Sequence, residues 1–114
     1  CAAGLASLDI FEQDGILEHA NSVADYWQEA AHALRGLPHV IDIRTIGMIV
    51  GIELASIPGK VGARAYDAFR RAFNDGILIR VTGDIIALSP PLVIEKKHID
   101  ELFGKLAAIL KTLD

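Results

Sequence analysis

The sequence predicts an α+β domain in which helices cover one face of a small antiparallel sheet. Four short segments rich in β-branched residues come in two adjacent pairs, each joined by a connection of turn length, which favours antiparallel pairing. Apolar residues with the spacing of an α-helix precede, separate and follow these pairs. The expected order is therefore α-α-β-β-α-β-β-α, with the helices in one layer and the sheet in the other.

Two helices are predicted before the first strand. Residues 2–13 form a helix rich in small residues, which Asp14-Gly15 interrupts. The larger apolar residues expected to share one face of it are Leu5, Leu8 and Phe11. From residue 16, apolar residues recur at spacings of three and four, until Gly36 and Pro38 end the amphipathic helix. They are Ile16, Ala20, Val23, Ala24, Trp27, Ala31 and Leu34.

The first strand pair covers residues 40–46 and 48–54, with Gly47 as the turn residue between them. Side chains alternate between the faces of a strand. This places on one face of the first strand Ile41, Ile43 and Thr45, and on the other Asp42 and Arg44. In the second strand, one face carries Met48, Val50, Ile52 and Leu54, and the other carries Gly51 and Glu53.

A helix near residues 61–74 separates the strand pairs. Its inward-facing residues are expected to be Ala65, Phe69, Ala72 and Phe73. The second strand pair covers residues 77–81 and 85–89 and brackets Thr82-Gly83-Asp84, a loop of hairpin type.

The last helix begins near Lys96. Ile94 and Ile99 have the spacing of a hydrophobic staple if Glu95 is the N-cap. The apolar stripe of this helix is Ile99, Leu102, Phe103, Leu106, Ile109, Leu110 and Leu113.

Composition excludes several classes of protein. The 114 residues are 52% hydrophobic and 23% charged, which excludes intrinsic disorder. Eleven basic residues against fifteen acidic ones, without a basic cluster, argue against a nucleic-acid partner. The longest stretch without a charged side chain, residues 85–94, is too short to cross a membrane. A single cysteine excludes an internal disulfide framework and fits a reducing compartment.

The start of the chain suggests that it continues upstream. It opens at Cys1 rather than at a methionine, and its first helix has no capping residue ahead of it. We therefore expect the 114 residues to be a fragment of a longer protein.

Few residues form a recognisable site. The histidines lack metal-ligand spacing, and the lone cysteine has no nearby partner, so ordinary structural roles are expected. These histidines are His19, His32, His39 and His98. No nucleophile elbow and no glycine-rich phosphate loop is present.

Two charged strand residues are candidates. Arg80 lies near the end of an apolar strand beside a hairpin, and a guanidinium group binds a carboxylate through two parallel hydrogen bonds. An edge arginine with its head in water is the alternative. Glu53 is the second candidate, and its alternative is an ion pair with Arg44 across the sheet.

Two segments resemble a known family. Residues 34–54 (LRGLPHVIDIRTIGMIVGIEL) and 73–94 (FNDGILIRVTGDIIALSPPLVI) resemble the C-terminal small domain of class III aminotransferases, which are fold-type I enzymes that use pyridoxal phosphate. The omega-amino acid:pyruvate (beta-alanine:pyruvate) branch is the most similar. Residues 76–91 carry a pattern specific to the family, G-[IL]-L-[IV]-R-x-x-G-D-x-[IL]-x-[LF]-x-P-P. The resemblance covers residues 1–114, with 1–14 as the end of the connection from the large domain.

The resemblance implies roles for four residues. Arg80 aligns with the arginine that binds the substrate carboxylate, and Thr82, Gly83 and Asp84 shape the loop that holds it. The Schiff-base lysine and the residues that contact the cofactor lie upstream, so the fragment is expected to hold no catalytic, cofactor-binding or metal-binding residue and to be inactive alone. We assign no catalytic role to its own lysines, which are Lys60, Lys96, Lys97, Lys105 and Lys111.

The expected function of the parent protein is transamination. The resemblance implies that a cytoplasmic, homodimeric, pyridoxal-phosphate-dependent enzyme moves an amino group from an omega-amino acid or amine to pyruvate, giving alanine. Two alternatives remain open: a free-standing α+β module that binds an acidic metabolite or a partner, and a class III mutase or racemase.

Overall fold

The computed structural model describes residues 1–114 as four helices and a four-stranded sheet. Along the chain these are α1 (Ala2–Gln13), α2 (Ile16–His32), β1 (Val40–Ile46), β2 (Ile49–Leu54), α3 (Ala63–Asn74), β3 (Arg80–Thr82), β4 (Ile85–Leu88) and α4 (Lys96–Lys111). The α+β class is confirmed. None of the four helices has the length and the apolar character that a membrane span needs.

All neighbouring strands are antiparallel, and their order in the sheet is β1-β2-β4-β3. One row across the sheet is Ile43, Ile52, Ile86 and Val81, and the next row is Arg44, Gly51, Ala87 and Arg80. Because side chains alternate along a strand, the two rows face opposite sides. The first row joins the hydrophobic core with α2, α3 and α4, whereas the second lies on the uncovered face, here called the open face.

The core is centred on α2 and α4. Trp27 and Phe103 meet edge to face, with their ring centroids 4.9 Å apart. Trp27 is fully buried, as are Ile99, Leu106 and Leu110 of the predicted α4 stripe. The α4 N-cap is Glu95, as predicted, and its backbone N–H donates to Nδ1 of His98 at 3.1 Å.

The predicted face of β1 is wrong at Ile41, which is 61% exposed. The register between β1 and β2 shifts between Val40 and Asp42, as a β-bulge does. An extra residue at a bulge changes the alternation of the side chains, so Val40 packs on the core in place of Ile41. Ile43 keeps its predicted place in the core.

The inward face of α3 also differs from the prediction. Phe73 is 63% exposed, whereas Ala68 is fully buried beside Ala65 and Ala72. These alanines, spaced by three and four, form the stripe that packs on the core. Phe69 is partly buried and packs against the core as predicted, and its ring stacks on that of Tyr66 with centroids 6.0 Å apart.

The second strand pair is shorter than predicted. Residues 77–79 have no ladder partner, so β3 keeps only the last residues of the expected strand and extends to Thr82. Helix α1 matches its predicted bounds, but it buries none of its residues. The face expected to hold Leu5, Leu8 and Phe11 therefore contacts no part of the core.

Candidate functional site

Arg80 begins β3, the strand at the edge of the sheet. It pairs with Ala87 of β4, and its side chain is exposed on the open face. Its guanidinium group makes no hydrogen bond or ion pair with any other residue of the chain. All of its donors are therefore free for a ligand.

A mostly apolar groove of about 710 Å³ lies beside Arg80. Its fourteen lining residues come from α2, α3, α4, the β3–β4 edge and the segment that follows β4. Arg80 is the only charged residue among them. The lining contains no carboxylate that could neutralise Arg80, so the groove suits an anionic ligand. The apolar surroundings strengthen the electrostatic attraction between the guanidinium group and such a ligand.

A two-residue turn returns the chain from β3 to β4. Thr82 pairs with Ile85, and Gly83 between them has φ +56°, in the left-handed region that glycine adopts without a steric penalty. Thr82 lies two residues from Arg80 on the same face of β3 and is exposed. The structure thus brings Arg80 and Thr82 together on the open face.

Asp84 is directed away from the open face and is only 8% exposed. Its Oδ2 accepts hydrogen bonds from the Ser56 hydroxyl at 2.5 Å and the Gly62 backbone N–H at 3.0 Å. The Ser56 hydrogen bond, then that from Gly62, holds the pKa of this carboxyl below its usual value, and the charge of Arg64 adds to the effect. The roles of Ser56 and Gly62 as partners of Asp84 could not be predicted, because no local pattern in the sequence links them to it.

Arg64 fixes the same region from the other side. It is 9% exposed, and its Nε donates to the Asp114 backbone carbonyl at 2.5 Å. Its Nη1 donates to the carbonyl of Ala55, just after β2. The connection between β2 and α3, residues 55–62, is therefore held by both Arg64 and Asp84.

Glu53 does not belong to this site. Its Oε2 accepts from Nη1 of Arg44 at 2.7 Å, and Asp42 accepts from the same nitrogen at 2.5 Å. The ion-pair alternative from the sequence is therefore confirmed.

The histidines serve the fold. Nε2 of His19 donates to the Ile94 carbonyl at 2.8 Å, and Nε2 of His39 donates to that of Leu113 at 3.2 Å. His32 shares a hydrogen bond with the Thr45 hydroxyl at 3.2 Å. No group of three or more histidine, cysteine or acidic side chains is placed to hold a metal ion.

Comparison with known proteins identifies the family of this chain. Residues 1–110 match the family model described as aminotransferase class-III. The chain belongs to this family. It is 47% identical over all 114 residues to an omega-aminotransferase of Caulobacter vibrioides, and 31% identical over 110 residues to a beta-alanine–pyruvate aminotransferase of Pseudomonas aeruginosa. These alignments include 100% and 96% of this chain, and they cover 26% and 25% of the two relatives.

A solved aminotransferase structure has the same fold over this chain. The adenosylmethionine-8-amino-7-oxononanoate aminotransferase of Methanocaldococcus jannaschii matches 100% of this chain with a TM-score of 0.91 and 34% identity. The match covers 27% of that enzyme. The chain thus spans about a quarter of the length of the relatives it matches.

Class-III aminotransferases use pyridoxal phosphate, and the residues of this chain do not form a site for it. None of the five lysines lines the groove beside Arg80, so no amine there is placed to bind the cofactor's aldehyde. No carboxylate lines the groove to face a pyridine nitrogen. No chemical step through the cofactor therefore belongs to these residues.

Proposed function

We propose that this chain is the C-terminal small domain of a class-III aminotransferase and that Arg80 binds the carboxylate of the substrate. The observation that carries the proposal is the exposed, unpaired Arg80 as the sole charge of an apolar groove at the sheet edge. The names of two relatives, an omega-aminotransferase and a beta-alanine–pyruvate aminotransferase, support an omega-amino acid or amine as donor and pyruvate as acceptor.

Binding by Arg80 uses the planar geometry of the guanidinium group. Two parallel N–H donors match the two oxygens of a carboxylate and fix the orientation of the bound acid. Thr82 lies next to Arg80 on the open face, and the turn at Gly83 and Asp84 holds the strand that carries both. The apolar lining of the groove accepts the carbon chain of the substrate.

The proposal extends to the full-length protein. We place the cofactor, the Schiff-base lysine and the proton transfers outside these 114 residues and propose a cytoplasmic homodimer. The single cysteine fits a reducing compartment, and the family resemblance supports the dimer.

Replacing Arg80 tests the assignment in the full-length protein. Arg80→Ala should reduce kcat/KM for beta-alanine and pyruvate roughly ten- to 150-fold, the equivalent of about 1.5–3 kcal/mol for a charge-assisted contact. A primary amine without a carboxylate should be affected little. Arg80→Lys should recover only part of the loss, because an ammonium group lacks the two-pronged geometry.

Arg44→Ala is the matched control, since it removes an equal charge from the same row of the sheet. It should leave the preference between acid and amine unchanged. Equal losses with both donors in Arg80→Ala would contradict the carboxylate assignment. A full-length protein that stays colourless after reconstitution with pyridoxal phosphate would instead support a non-catalytic binding module.

A further inference from the structure

The turn that follows Arg80 rests on a distant part of the chain. The backbone N–H of Leu54 donates to the Asp84 carbonyl at 2.8 Å. The side chain of Asp84 accepts hydrogen bonds from the Ser56 hydroxyl and the Gly62 backbone N–H. A Cβ on Gly62 would lie 3.4 Å from the Gly83 carbonyl oxygen, so the two backbones pack closely. The 55–62 connection is thus the support of the β3–β4 turn.

This support matters because β3 is a short strand at the edge of the sheet. The strand has three residues, pairs with β4 alone, and follows residues 77–79, which have no ladder partner. Only Val81 and Thr82 separate Arg80 from the turn. The strand is held by its ladder with β4, by the packing of Val81 on the core, and by the turn.

The carboxylate of Asp84 depends on few donors. Oδ2 has the two hydrogen bonds already described, whereas Oδ1 is buried without a partner in the chain. Removing the Ser56 hydroxyl leaves this buried group with a single donor, the Gly62 N–H. The turn then loses one of the two contacts through which the side chain of Asp84 holds the connection.

We infer that Ser56 and Asp84 form a positioning pair that sets where Arg80 meets the carboxylate of the substrate. This inference rests on the proposed function of Arg80. Neither residue faces the groove or touches the substrate, and both act through the turn. The pair therefore affects the binding of acids and leaves the binding of amines unaffected.

The kinetic test uses Ser56→Ala and Asp84→Asn in the full-length protein. Each should raise KM for beta-alanine roughly three- to tenfold and leave kcat unchanged, because Ser56→Ala removes a hydrogen bond to a charged group and Asp84→Asn removes the charge that strengthens both hydrogen bonds. KM for benzylamine, which has no carboxylate, should stay the same. Ser56→Thr keeps the hydroxyl and should restore the wild-type KM, and Ser22→Ala is the control for loss of an exposed serine hydroxyl.

A second measurement needs no turnover. Amide hydrogen exchange at Gly62 should be faster in Ser56→Ala than in the wild type, because the Asp84 acceptor is less firmly placed. An unchanged exchange rate at Gly62, together with an unchanged KM, would overturn the inference even if both variants fold.

Arg80→Ala is measured alongside, so that the two proposals fail separately. Suppose that Arg80→Ala lowers kcat/KM for acids selectively, while Ser56→Ala and Asp84→Asn keep the wild-type KM. The inference about the positioning pair is then wrong, and the role of Arg80 stands. An equal increase in KM for beta-alanine and for benzylamine in Ser56→Ala and Asp84→Asn would show a merely structural role and overturn the inference. If Arg80→Ala itself shows no selectivity, both proposals fail.

Discussion

Two arginines in the same row of the sheet have opposite surroundings. Arg44 is bound by Asp42 and Glu53, whereas Arg80, separated from it by Gly51 and Ala87, has no partner in the chain. An arginine already saturated by carboxylates has little left to offer a ligand. The unoccupied donors of Arg80, more than its charge, distinguish it as a binding residue.

Asp84 makes the stability of the chain depend on pH. Its pKa is lowered in the folded state, so its contribution is fully present above the ordinary carboxyl value of about 3.9 and is lost as the pH falls through the folded pKa. We expect the free energy of unfolding to fall below about pH 4, and to fall less steeply in Asp84→Asn. Urea unfolding at several pH values measures both slopes, and identical slopes would contradict the prediction.

Among the secondary-structure elements, a glycine in a turn and a glycine in a helix should respond oppositely to the same substitution. Neither Gly83 nor Gly104 has a neighbour within 4 Å of an added Cβ, so sterics with other residues do not decide the outcome. Gly83 has φ +56°, and Gly83→Ala should destabilise the chain by about 1 kcal/mol. Gly104 lies in α4, and Gly104→Ala should stabilise it by up to about 1 kcal/mol.

Denaturant midpoints of the two glycine variants and the wild type measure these effects. A stabilised Gly83→Ala would show that the turn does not require a left-handed residue. A destabilised Gly104→Ala would show that α4 does not gain from the greater helix propensity of alanine.

The elements themselves could largely be predicted from local spacing. Strand pairs separated by turn residues predict the two hairpins, and the spacing of three and four predicts α2 and α4. The outward position of Ile41 could not be predicted, because a bulge arises from the pairing of two strands. The outward position of Phe73 could not be predicted either, because it depends on how α3 packs on the core, which the spacing within the helix does not reveal.

The site was predictable only in part. Local pattern presents Arg80 as an edge arginine, and it was the family motif at residues 76–91 that indicated a role in carboxylate binding. The contact of Asp84 with Ser56, 28 residues earlier in the chain, exists only after β2 and β4 have paired. A contact between residues so far apart in sequence cannot be predicted from a pattern of neighbouring residues.

At the scale of the whole molecule, the chain is elongated. It measures 49 × 29 × 24 Å, and its radius of gyration of 15.7 Å exceeds the roughly 13 Å expected for a compact domain of this length. Helix α1 contributes to this shape, since none of its residues is buried and it exposes Leu5, Leu8 and Ile10. Because α1 and the groove expose apolar side chains, we expect the isolated chain to be folded but only marginally stable.

Deleting residues 1–13 tests the contribution of α1. Because this helix buries no residue, the free energy of unfolding should change by no more than about 0.5 kcal/mol. The shortened chain should also bind less of a dye that reports exposed apolar surface. A loss of cooperative unfolding on deletion would show that α1 stabilises the rest of the domain.

The sheet order also has a consequence for the rate of folding. Each hairpin joins strands that are neighbours along the chain, so β1–β2 and β3–β4 close through short loops. When the two hairpins join, Glu53 pairs with Ile85 and Val50 pairs with Leu88. These residues are far apart in sequence, because α3 lies between the two strands. We therefore expect the pairing of β2 with β4 to be the slow step of folding, so substitutions in its ladder should change the folding rate more than substitutions in either turn.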